Sequence, residues 1–77
     1  MLKIKKIVRK IIIDTLRLKK NIKIKLVSDK IENWDSIGHL RIILMLEKKF
    51  KLQFSTKEIP KMLSEEKIYK IILNKLF

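Results

Sequence analysis

One serine stands where a hydroxyl could do chemistry. In Trp34-Asp35-Ser36-Ile37-Gly38-His39-Leu40 it follows an acid and opens the most apolar stretch of the chain. Serine is a preferred N-cap, and the helix it begins is expected to run to about Phe50. There the hydroxyl projects from the positive pole of the helix, where free backbone N–H groups stabilise a phosphate ester. Asp35, Ser36 and His39 also contain the residue types of a hydrolytic triad. That reading needs an oxyanion hole and a pocket on a larger scaffold. The chain has no Gly-rich elbow and too little bulk for it, so hydrolysis is set aside and no catalytic residue is assigned. His39 is expected at the surface near the serine, in reach of a phosphate there. Trp34 is expected to close the preceding loop against the end of the second helix, holding Ser36 in place.

The elements that position the serine are read from apolar spacing. Seventy-seven residues make one domain, 1–77, with one small core. There is no cysteine and a single histidine, which leaves no thiolate or multi-histidine metal site. One glycine and one proline are too few for a chain of tight β-turns and suit helices joined by polar loops. Leu2, Ile4, Ile7, Val8, Ile11, Ile12, Ile13 and Leu16 recur at three and four, predicting a first amphipathic helix from Leu2 to about Leu18. Lys3, Lys6, Arg9, Lys10 and Arg17 are placed on its wet side. Ile22, Ile24 and Leu26 alternate with polar residues, which allows a strand. No convincing partner strand exists, so a long loop from Lys19 to Asn33 is preferred, with a helical turn within Ser28–Glu32.

The second helix starts at Asp35 or Ser36. Leu40, Ile42, Ile43, Leu46 and Phe50 form its expected core face. Ile37 and Leu44 share a stripe with Arg41 and Lys48, either as a half-exposed binding face or as the edge of the core. After Lys51–Phe54, Ser55 and Glu58 have capping-box spacing, opening a short helix to about Met62 that contains Pro60. Ser64 then caps a last helix with Glu65 and Glu66 in its first turn and Ile68, Ile71, Ile72 and Leu76 on its apolar face. The fold class is all-α: three main helices plus a short one, with a long loop between the first two.

The net charge is +12, with 20 basic and 8 acidic residues. Such a balance suits nucleic acid, an anionic surface or an acidic partner. Cations occur on every segment, and no nucleic-acid motif is present. A small basic helical module binding nucleic acid or an anionic surface, without prosthetic group, is therefore the alternative reading. No segment reaches the roughly 20 apolar residues of a membrane span, and the basic first helix lacks a secretory apolar run. A cytoplasmic setting is expected.

This layout, with Asp35-Ser36-Ile37 heading the second helix and Leu46-Glu47-Lys48-Lys49-Phe50 closing it, resembles the acyl carrier and peptidyl carrier protein family. It is most similar to the stand-alone carriers of small biosynthetic pathways. The resemblance covers most of the chain and implies an acyl-carrier-like four-helix bundle, monomeric by default. It implies that Ser36 receives 4′-phosphopantetheine from coenzyme A, preceded by the acid Asp35. The arm's thiol would then hold an acyl or aminoacyl group as a thioester. Ile37 would help the modifying transferase and client enzymes grip the second helix. The chain would not be an enzyme itself. Its partners would be a phosphopantetheinyl transferase, a loading enzyme and a downstream acceptor, in lipid or specialised biosynthesis. In one respect the chain departs from the family, whose second helix usually offers carboxylates. Here that face carries Arg41, Lys48 and Lys49, with Glu47 its only acid. The departure implies a partner with an acidic or mainly apolar docking surface.

Overall fold

The computed structural model describes residues 2–77. Three amphipathic helices are formed: α1 (Leu2–Leu16), α2 (Ser36–Phe50) and α3 (Glu65–Leu76). Two 3-10 turns, Ser28–Lys30 and Ile59–Lys61, lie in the connections. α1 packs against both α2 and α3. The core gathers Val8, Ile12, Ile13 and Leu16 from α1, Ile42, Ile43 and Leu46 from α2, and Ile68 and Ile72 from α3. Leu26, Ile31, Trp34, Phe54 and Met62 close it from the connecting segments. The all-α class is as expected, and no strand occurs among the described residues.

The expected four-helix count is corrected to three. The segment from Ser55 to Met62 does form its capping box: Glu58 N–H donates to Ser55 Oγ at 3.1 Å, and Ser55 N–H donates to Glu58 Oε1 at 2.8 Å. Only the turn Ile59–Lys61 follows, because Pro60 brings no N–H to extend it. The backbone then leaves helical geometry at Met62 (φ −91°, ψ 50°), whose side chain is buried in the core.

α1 also ends two residues earlier than its apolar spacing suggests. Arg17 takes a left-handed conformation (φ 56°), and Leu18 N–H donates back to the Ile13 carbonyl at 2.9 Å, a 6→1 closure that satisfies a terminal carbonyl. The long connection is a loop. Leu26 is fully buried whereas Ile24 is 50 % exposed, so the alternating residues do not share one face as a strand requires. Arg9, expected in solvent, holds this loop down. Its guanidinium donates to the carbonyls of Ile22 (2.6 Å) and Ile24 (3.1 Å) and pairs with Glu65 at 2.7 Å. Glu65 also accepts from Leu26 N–H at 3.2 Å, which joins loop, α1 and α3 at one point. A single bridge, Val27 to Ser64, completes the attachment.

Candidate functional site

The start of α2 is built by Asn33, Trp34, Asp35, Gly38 and His39. Asp35, not Ser36, is the N-cap: its extended backbone lets Oδ1 accept from Gly38 N–H at 2.8 Å. This corrects the expectation that the serine caps the helix. Ser36 is the first helical residue, exposed, and among the described residues its hydroxyl has no hydrogen-bond partner. The division of labour matters chemically. The carboxylate satisfies an orphan donor of the first turn, and the hydroxyl beside it stays free at the positive pole.

Close packing behind the serine fixes its place. Asn33 Nδ2 donates to the Leu16 carbonyl at 3.2 Å, tying the loop to the end of α1. The Asn33 carbonyl oxygen in turn lies so near Gly38 that an added Cβ would collide with it, and would sit 3.0 Å from Leu16 Cδ2. The only glycine of the chain is thus required by a backbone approach, which its presence in the motif did not reveal.

Trp34 packs as expected, 5 % exposed. Its indole Nε1–H donates to His39 Nδ1 at 3.0 Å, with the two ring planes inclined by 27° and their centroids 6.2 Å apart. His39 Nε2 lies 2.8 Å from the Ile59 carbonyl. Indole is a donor only, so Nδ1 accepts and Nε2 carries the proton given to Ile59. Both ring nitrogens are engaged. His39 is therefore neither a base poised on Ser36 nor available to a phosphate, a correction to its expected role.

The outward face of α2 settles the position of the stripe. Ile37 and Leu44 are both 63 % exposed. Ile37 and the fully buried Leu46 are nine positions apart, about half a revolution at roughly 100° per residue. The stripe therefore lies opposite the core and not at its edge. Leu40, expected in the core face, is 55 % exposed and belongs to this stripe, and Met45, unassigned by spacing, is also exposed. Exposed Arg41, Lys48 and Lys49 run among and beside these apolar side chains. Glu47, the one acid of α2, is turned to the chain itself and accepts from Phe54 N–H at 2.9 Å. Ser36 precedes Leu40 by one turn, so the hydroxyl adjoins the N-terminal end of the stripe.

A cavity of about 380 Å³ lies at the seam of α1 and α2, with Arg17, Asn33, Asp35, Ile37 and Arg41 among its lining. A larger one of about 510 Å³ lies between α1 and α3, where Lys5, Lys6 and Lys25 surround Leu26, Val27 and Tyr69. It includes no residue of α2. Among the described residues no helix is long and apolar enough to cross a membrane.

Compared with known proteins, the chain matches no family profile and no curated protein. Among the described residues the structure has three helices and, at the start of the second, an exposed serine hydroxyl without a hydrogen-bond partner, beside an outward apolar and basic face.

Proposed function

We propose that this chain is a carrier protein of acyl-carrier-like fold, with 4′-phosphopantetheine attached to Ser36. The observation that carries the reading is the exposed Ser36 hydroxyl, without a hydrogen-bond partner among the described residues, at the first position of α2, on a backbone held by Asp35, Asn33 and Gly38. The residues fit such a group. The hydroxyl is open to a modifying enzyme, and a phosphodiester formed there meets the positive end of the helix. When bound, the arm supplies a thiol that holds an acyl or aminoacyl cargo as a thioester. The chain's own contribution is to fix the attachment oxygen and to offer Ile37, Leu40 and Leu44, with Arg41 and Lys48, as the surface that partners grip. Three large apolar side chains lie opposite the core with more than half of their surface exposed, which favours docking. The cations around them favour a transferase and client enzymes whose docking surface is acidic or apolar.

The test is intact-protein mass spectrometry after incubation with coenzyme A and a broad-specificity phosphopantetheinyl transferase. The parent gains the mass of the arm, and Ser36→Ala gains nothing. A folded parent that stays unmodified, or a gain that survives Ser36→Ala, overturns the proposal.

One observation favours a second reading. The cavity between α1 and α3 gathers Lys5, Lys6, Arg9 and Lys25 around Tyr69, with Glu65 and Glu66 at its edge and Lys5 Nζ 5.0 Å from the ring centre, and cations grouped with an aromatic ring are a feature of single-strand binding grooves. Salt-sensitive binding of single strands, abolished by Tyr69→Ala without change at Ser36, would support it.

A further inference from the structure

The geometry points to His39 as the positioning residue of the Ser36 site, acting in its neutral form, so that protonation releases Trp34 and loosens the start of α2. The argument is an accounting of donors. The Trp34 indole N–H is buried, and among the described residues its partner is His39 Nδ1. His39 Nε2–H is given to the Ile59 carbonyl. On protonation both ring nitrogens become donors. The Trp34 N–H then faces another N–H, and that bond is lost.

The two contacts respond oppositely. An imidazolium donates to a carbonyl more strongly than a neutral ring does, so the bond to Ile59 tightens. A buried indole N–H left without an acceptor is costly, so Trp34 is the side that moves. Trp34 is two residues before Ser36 and precedes the capping Asp35 directly. Its departure withdraws the support of the loop that presents the hydroxyl.

Other charges around the ring are already committed or held elsewhere. On α2, Asp35 is one turn before His39 and is bonded to Gly38 N–H. On the turn that carries Ile59, Glu58 is bonded to Ser55 and paired with Lys75 at 2.8 Å, and Lys61 is exposed. On the loop that carries Trp34, Glu32 is exposed. His39 is the one histidine of the chain, so an imidazole signal has a single source.

The test reads the latch directly and the serine second. Trp34 is the single tryptophan, so its emission and its indole N–H resonance are unambiguous reporters. On acidification the parent is expected to lose emission and to shift the indole resonance in step with the ring nitrogens of His39. In His39→Gln a carboxamide oxygen can accept from Trp34 and its NH₂ can donate to Ile59, so neither signal moves. In the second arm, which rests on the carrier reading, Ser36 modification by one transferase is timed at each pH for both proteins. The ratio of parent to His39→Gln falls on acidification, which removes the transferase's own pH dependence. A Trp34 signal that stays flat while His39 titrates, or that responds equally in His39→Gln, overturns the latch. A flat ratio beside a titrating Trp34 overturns the positioning role. If Ser36 is unmodified in both proteins at every pH, the carrier reading fails instead, and the Trp34 signals alone decide the latch.

Discussion

Leu44→Ala separates a docking surface from a core surface. Leu44 keeps 63 % of its surface exposed, so folding covers only the remaining 37 %. Complete burial of a leucine side chain is worth about 1.5–3 kcal/mol, and 37 % of that is roughly 0.6–1.1 kcal/mol. Truncation should therefore cost no more than about 1 kcal/mol. Leu46, on the same helix and fully buried, should cost about 2–5 kcal/mol when cut to alanine, because transfer and cavity terms both apply. Urea unfolding of the two variants, compared at equal slope, measures the difference. Function should rank them the other way. If Ile37, Leu40 and Leu44 are gripped by the transferase, losing one anchor costs more than about 1 kcal/mol of docking, or at least about fivefold in kcat/KM for Ser36 modification. Equal destabilisation by Leu44→Ala and Leu46→Ala would refute the assignment of the face. A modification rate unchanged in Leu44→Ala would refute its role in docking.

Gly38→Ala forces a Cβ against the Asn33 carbonyl; the overpacking costs about 1–3 kcal/mol, offset by the roughly 0.5–1 kcal/mol that alanine ordinarily gains in a helix. A lowered melting temperature is expected, and an unchanged one would mean that the loop yields freely. The hydrogen bond from Lys75, then the Ser55 N–H, holds the Glu58 carboxyl below its ordinary value of 4.5. A folded value below the unfolded one means stability present above pH 4.5 and lost as the pH falls through the folded value. Glu58→Gln should flatten that part of the melting profile, and an unaltered acid limb would contradict the assignment. Lys51 closes α2 in a left-handed conformation at φ 54°, which costs a side-chain-bearing residue about 1–2 kcal/mol. Lys51→Gly should raise stability by up to about 1 kcal/mol in the same urea assay, and a loss would show that the lysine side chain contributes there.

Local chemistry was the legible part of this chain. The capping box of Ser55 and Glu58 and the Ser64 cap of α3 form as their spacing suggests. The 3-10 turn at Ser28–Lys30 lies inside the stretch read as a helical turn. Features set by distant contacts were not legible. Asp35 and Ser36 are both good caps, and spacing alone does not choose between them. The structure chooses Asp35, with Gly38 pressed against the Asn33 carbonyl. Arg9 lies on a polar stripe of α1, yet carbonyls 13 and 15 residues away capture it. Leu40 is 55 % exposed although its spacing suggests the core face, because Leu40, Ile42 and Ile43, close in sequence, blur the boundary of an apolar stripe. Only the packing of α1 against α2 draws that boundary. Trp34 and His39 were each visible in the motif, but their mutual bond depends on the turn at Ile59.

The central claim is that one hydroxyl becomes the bearer of a thiol, and the composition gives it a clean assay. The chain has no cysteine, so the folded protein should titrate no thiol before modification. After incubation with coenzyme A and transferase, followed by removal of free coenzyme, one thiol per chain should react with a chromogenic disulfide. Ser36→Ala treated identically should show none. A folded parent that remains thiol-free, or a Ser36→Ala protein that acquires the thiol, would contradict the account.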